Sequence, residues 1–173
     1  MCIRDRNNTW GGGREDMVYK LANAGFKIVM SNSSAFYFDM ANDNDMDAFG
    51  LNWSGYVDYF DTWAIDPQDI FANKALNLKH NISSDYILKT TKLNPTKQDN
   101  LIGIQGQLWT ETVTSETILD QMLMPNLIVF AERAWAKKPY WISDQTSAQE
   151  HEITKNWNQF LNVMGKRTLP LIN

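Results

Sequence analysis

The chain has 173 residues, 43% of them hydrophobic and 21% charged, with a net charge of −4. That is the balance of a globular chain long enough for one domain with its own core, and it excludes a disordered polymer. No block of basic residues invites nucleic acid, no run approaches the roughly 20 apolar residues of a membrane span, and the single cysteine, Cys2, excludes an internal disulfide and a Cys-based zinc site.

In chain order, "MCIRDR" comes first. It has no apolar core of a secretion signal and no link to the pattern that follows, so residues 1–6 read as a non-native leader. The remainder, residues 7–173, reads as one unit. "GREDMVYKLANAG" predicts a helix, with Met17, Val18, Leu21 and Ala24 at helical spacing and Gly25 as its stop. "FKIVMS" predicts a buried strand through Phe26, Ile28, Val29 and Met30. A long polar and aromatic stretch follows, from Asn32 to Pro67, with little periodicity, and loops of that length are usually functional. "PQDIFANKAL" predicts a short helix and "NLKHNISSDYILKTTKLNPTKQDN" an irregular segment. "LIGIQGQLW" predicts a second buried strand, and "SETILDQMLMPNLIVFAERAWAKK" a long helix that Pro125 should kink or split. "AQEHEITKNWNQFLNVMGKR" predicts a last helix with Trp157, Phe160 and Leu161 facing inward.

This alternation is α/β, and strands that read as continuous apolar runs belong to a parallel sheet covered on both faces. The chemically interesting residues follow the strands, where a (β/α)8 TIM barrel keeps its active site. Such a barrel takes about 250 residues. The expected fold is therefore the C-terminal portion of a (β/α)8 barrel, incomplete in this chain.

Seven tryptophans are many for this length. Any one of them is explained by core packing. Together they also suit stacking platforms, since an indole offers an apolar face with a polar handle and sugars present C–H faces ringed by hydroxyls. Three groups stand out: Trp10 in "NTWGGG", Tyr37 and Asp39 in "FYFD", and Trp109 and Glu111 in "LWTE". The last two share a design, an aromatic with a carboxylate two residues on, which extended backbone aims the same way. Trp53 in "GLNWSGY" adds an aromatic within the long loop. On residue chemistry alone, Asp39 and Glu111 could be the two carboxylates of a glycosidase. For each, a solvated acid or a helix cap is an equal alternative.

Other motifs fall away. "DNDMD" lacks the glycine and the final glutamate of a calcium loop. His80 and His151 have no ligand partner at metal spacing and read as surface histidines. "WGGGRED" lacks the Lys and Ser/Thr of a phosphate loop, and no Gly-x-Ser-x-Gly elbow occurs. Glu132 and Arg133, on the long helix, read as fold or surface residues.

"QLWTET" followed by "MLMPNLIVFAERAW" resembles the C-terminal signature of family 20 glycoside hydrolases, the β-N-acetylhexosaminidases. "GFKIVMSNSSAFYFDM" resembles that family's Tyr-x-Asp strand, and "NTWGGG" and "GLNWSGY" resemble segments of its bacterial chitobiase-like branch. The resemblance runs over residues 10–141. It implies a (β/α)8 barrel of which this chain holds the last units. It also implies substrate-assisted retaining hydrolysis of terminal N-acetyl-β-D-hexosamine residues from glycosides or chitin oligomers. The substrate's own 2-acetamido oxygen attacks the anomeric carbon to give an oxazolinium intermediate, while a Glu serves as acid then base and an Asp orients the acetamido group. That Asp-Glu pair belongs to a His-x-Gly-Gly-Asp-Glu stretch, and these 173 residues contain none. The fragment alone is therefore expected to be inactive.

The matching residues take family roles one by one. Tyr37 would bond and position the acetamido oxygen. Asp39 would bind a hydroxyl, the 6-hydroxyl by family pattern. Trp109 would lie under the sugar ring and Glu111 would hold the 4-hydroxyl. Trp10 would wall the acetamido methyl, and Trp53 would be a platform for the next sugar. The resemblance implies no metal and no other cofactor. The partners expected are N-acetylhexosamine-containing glycans or chitooligosaccharides, without nucleic acid or a membrane span. The sequence leaves the compartment open; a periplasmic or secreted setting is expected of the intact enzyme. The alternative is a non-catalytic carbohydrate-binding remnant, and beyond it an unrelated α/β protein whose tryptophans are only core.

Overall fold

A computed structural model describes residues 2–7, 13–45, 47–137 and 148–168. They fall into two compact units, residues 1–136 and 137–173.

The first unit is built on a parallel sheet. β1 (Cys2–Asn7) pairs with β2 (Lys27–Asn32), Cys2 opposite Lys27 and Asn7 opposite Asn32. β2 pairs in turn with β3 (Leu101–Ile104), giving the order β1-β2-β3. The segment read as a leader thus supplies extended backbone to one edge of the sheet. Parallel neighbours need a crossover, and α1 (Met17–Asn23) provides it between β1 and β2. The molecule is α/β.

Gly25 ends α1 as predicted. Its φ of +97° is open to glycine, and the next N–H, of Phe26, bonds back to Leu21 O at 3.1 Å. The buried face of α1 differs from the expected stripe. Val18, Tyr19 and Ala22 are buried, whereas Met17 is 39% exposed and Ala24 is exposed. Tyr19 goes fully inside because its hydroxyl is satisfied there, accepting from Ile70 N–H at 2.9 Å and donating to Pro67 O at 3.1 Å. Phe26 lies outside β2 and is exposed, while Ile28 and Met30 are in the core.

β2 is interrupted by a single helical turn, α2 (Ser33–Phe36), which Asn32 caps by accepting from Ser34 N–H at 2.8 Å. Pairing then resumes briefly. Phe38 N–H bonds Gln107 O at 2.7 Å and Gln107 N–H bonds Phe36 O at 2.9 Å, an isolated bridge beyond β3; the strand expected over residues 101–109 is regular only to Ile104, and it is not buried as expected, Ile102 being 53% exposed.

The stretch between Asn32 and Leu101 is more structured than its pattern indicates. It holds α3 (Tyr59–Ala64), α4 (Lys74–Lys79), α5 (Ser84–Lys89) and a 3₁₀ turn (Pro95–Asn100). The short helix expected over residues 67–76 starts only at Lys74, and the segment expected to be irregular contains the rest of α4 and all of α5. Each short helix is set by a local cap: an Asp58–Asp61 capping box, then Asn73, Ser83 and Asn94.

α6 (Glu116–Trp135) starts at the Ser115 cap and passes through Pro125 as one 20-residue helix, so the proline does not split it. Contacts beyond Pro125 hold the second half in place. Phe130 meets the rings of Phe36 and Phe38 edge-on at 5.5 and 5.8 Å, and the buried Arg133 guanidinium donates to Trp63 O at 3.4 Å.

The second unit contains α7 (Ala148–Val163) and a π-helical turn (Met164–Thr168). Within α7, Trp157 and Phe160 are half-buried and stack at 5.6 Å, whereas Leu161, expected inward, is exposed. Among the described residues, no helix is long and apolar enough to cross a membrane.

Candidate functional site

After α2 the chain makes a turn, Met40 N–H bonding Tyr37 O at 3.3 Å, with single parallel bridges from Tyr37 to Gln107 and from Met40 to Leu51, so the extended backbone expected between Tyr37 and Asp39 is not formed. Phe38 turns toward α6 and against Gly106, where an added Cβ would lie 2.6 Å from the Phe38 ring. Tyr37 and Asp39 are almost wholly buried, and Tyr37 packs with Met40 and Val57. Tyr37 meets Trp53 edge-on, with ring centroids 5.8 Å apart.

Asp39 has an unusual environment. Both carboxylate oxygens are buried, and neither accepts a hydrogen bond of full geometry among the described residues, although the backbone N–H groups of Asp39 and Trp109 lie close enough to act on its charge. Burial raises its pKa above the ordinary value; its own backbone N–H and that of Trp109 partly offset this, and the Glu111 charge adds to it. A buried carboxylate short of donors favours either a proton or a ligand bringing O–H groups. Trp109 is 40% exposed, Trp53 is 51% exposed, and Glu111 is exposed. The arrangement therefore offers part-open indoles close to acceptor-rich carboxylates, which suits a ligand with an apolar face and a hydroxylated edge. Trp10 lies outside the described residues.

The Trp53 loop is fastened to the same segment. Leu51 N–H bonds Asp39 O at 2.8 Å, Ala41 N–H bonds Leu51 O at 2.8 Å, and Val57 N–H bonds Ala41 O at 2.9 Å. Gly50 makes this approach possible. Its φ is +118°, and a Cβ there would sit 2.6 Å from Asp39 O. Sequence reasoning missed Gly50, although its position just before a predicted platform was a usable signal.

Two further features lie apart from this cluster. A cavity of about 440 Å³ takes Phe38 and Met40 from the turn after α2, Phe49 from the loop and Met122 from α6, and none of the predicted site residues lines it. The aspartates of "DNDMD" border it and are engaged in local turns, Asp43 accepting from Asp45 N–H at 2.9 Å and Asp45 from Asp47 N–H at 3.1 Å. His80, read from sequence as a surface histidine, is largely covered, with Nε2 3.5 Å from the buried Asp61. It follows α4, whose last residue Lys79 also pairs with Asp61 at 2.7 Å. Among the described residues no three His, Cys, Asp or Glu side chains gather as a metal site requires.

The profile described as glycosyl hydrolase family 20, catalytic domain, matches residues 4–138. The β-hexosaminidase of Vibrio vulnificus is 27% identical over 184 residues, covering 95% of this chain and 21% of the relative. The N,N'-diacetylchitobiase of Vibrio harveyi is 26% identical, covering 92% of this chain and 18% of the relative. In structure, a Streptomyces plicatus β-hexosaminidase mutant in complex with its product N-acetylglucosamine aligns with a TM-score of 0.63 at 22% identity, covering 95% of this chain and 26% of that one. The chain thus spans about a fifth of the length of the curated relatives it matches.

Proposed function

The chain belongs to glycosyl hydrolase family 20, and from that membership we propose that it is the C-terminal part of a (β/α)8 β-N-acetylhexosaminidase barrel, supplying part of the pocket for a terminal N-acetyl-β-D-hexosamine. The observation that carries the reading is Asp39: a buried carboxylate without a hydrogen bond of full geometry among the described residues, near the Trp109 backbone and within reach of the Glu111 charge. A sugar hydroxyl supplies the full hydrogen bond that the carboxylate lacks. Trp109 lies under the ring, Glu111 accepts from a hydroxyl at its edge, and Trp53 stacks on the next sugar. Tyr37 donates its hydroxyl to the acetamido oxygen and holds it for attack on the anomeric carbon, and Trp10 walls the acetamido methyl. Indoles take the C–H faces, and the carboxylates make charge-assisted bonds to hydroxyls.

In this reading the reaction is substrate-assisted, and the Asp-Glu pair that drives it is not contributed by these 173 residues. The chain binds and positions; protonation of the leaving oxygen and activation of water belong to the missing pair. The substrates are glycans and chitooligosaccharides ending in N-acetylhexosamine. The names of the relatives, a chitobiase and β-hexosaminidases, support that class.

The test is a titration of the chain with N-acetylglucosamine, followed by tryptophan fluorescence and by NMR. Saturable binding is expected, with glucose binding much more weakly. Trp109→Ala and Glu111→Ala should each remove binding while leaving circular dichroism unchanged, because both side chains are exposed. A flat titration, or variants that bind as the parent does, would refute the proposal. Hydrolysis of a chromogenic N-acetylglucosaminide by this chain alone would refute the missing-pair account.

A further inference from the structure

Three serine hydroxyls join the end of β2 to the Trp53 loop. Ser33 and Ser34 open α2, and Ser54 directly follows Trp53. All three are buried, with at most 3% exposure. The Ser54 hydroxyl donates to Ser33 Oγ at 2.8 Å. Ser34 Oγ lies 3.1 Å from Ser54 Oγ and donates to Ser54 O at 3.2 Å, a second tie from α2 to the same loop residue. The loop is thus held at two places: by backbone bonds to residues 39–41 and by hydroxyls beside the indole. Trp53 itself is 51% exposed, touching Tyr37 edge-on and leaving much of its surface open. Its pose depends on what holds its backbone, since few packing contacts hold its ring.

We propose that Ser54, anchored by Ser33 and Ser34, is a positioning residue that fixes the Trp53 indole for a second sugar and so sets a preference for N-acetylglucosamine disaccharides over the single sugar. This rests on the reading of Trp53 as a platform. Buried hydroxyls bonded to one another are costly unless every partner is in place, which makes the trio a sharp positional lock. A half-open aromatic gains little from stacking if it must first be ordered, so pre-ordering adds directly to affinity for the sugar that stacks on it.

The experiment compares affinities of the full chain for N-acetylglucosamine and its β-1,4-linked disaccharide by calorimetry or NMR titration. The parent should favour the disaccharide, and Trp53→Ala should abolish that advantage. Ser54→Ala should cut it about fivefold, the worth of one hydrogen bond, while leaving single-sugar affinity in place. Ser33→Ala removes the same bond from its acceptor end and should act alike, which keeps the test available if S54A does not fold. Asn94→Ala, which removes a helix cap at the far end of β3, should lower stability without touching the ratio. If W53A abolishes the disaccharide advantage while S54A and S33A both retain it, the positioning role is wrong and the platform stands. It is equally wrong if they weaken both sugars in equal proportion. If the parent shows no disaccharide advantage, or W53A does not change it, the platform reading itself fails and this proposal with it.

Discussion

At the scale of the residue, Asp39 carries the most chemistry. Its folded pKa is raised above 3.8, so folding favours its protonated form. That contribution is full below the ordinary carboxylate range and is lost as pH rises through the raised value. Asp39→Asn, which cannot ionise, should therefore gain thermal stability relative to the parent as pH is taken from about 4 toward neutral. Melting curves across that range check this; a constant difference would contradict it. Ligand binding should show the opposite trend. Sugar hydroxyls donate to the ionised form, so affinity for N-acetylglucosamine should tighten over the same window, and D39N should bind at least about tenfold more weakly. The position of Asp39, two residues beyond Tyr37, was legible as a motif. Its burial was not, because burial comes from packing between segments distant from the motif.

At the scale of the element, the Trp53 loop and the short helices are informative. Gly50→Ala combines a φ of +118° with a contact of 2.6 Å to backbone, so it should destabilise the chain by about 2 kcal/mol or more. Gly103→Ala, in β3 with nothing within 4 Å of its Cβ, should stay within about 0.5 kcal/mol of the parent. Urea titrations of the two distinguish a required glycine from a tolerant one. α1, β2, β3, α6 and α7 were legible because each carries an apolar period or run long enough to read. α4 and α5 were not, since helices of six residues hold fewer than two turns of pattern. Their signals were the caps, Asn73 and Ser83, which a reading by hydrophobic period passes over. Tyr19 escaped for a related reason: its burial depends on two backbone groups some fifty residues away, at Pro67 and Ile70.

At the scale of the whole molecule, the sheet is open. Among the described residues β1 and β3 each have one neighbour, and a parallel sheet is stable when its edges are covered. The chain in isolation should therefore self-associate as its concentration rises, and light scattering at several concentrations measures this. A monomer throughout would argue against the incomplete-barrel reading, and a polypeptide carrying the remaining β/α units should suppress the association by capping both edges.

The meeting of Phe38 and Gly106 has a consequence for descent. Any side chain at position 106 collides with the Phe38 ring, and that ring is itself held by Phe130. A lineage can thus exchange the glycine only if the ring shifts or is trimmed, and a trimmed ring leaves a void against the helix. The two positions are expected to change together, which makes the pair a historical marker that sequences of descendants would record.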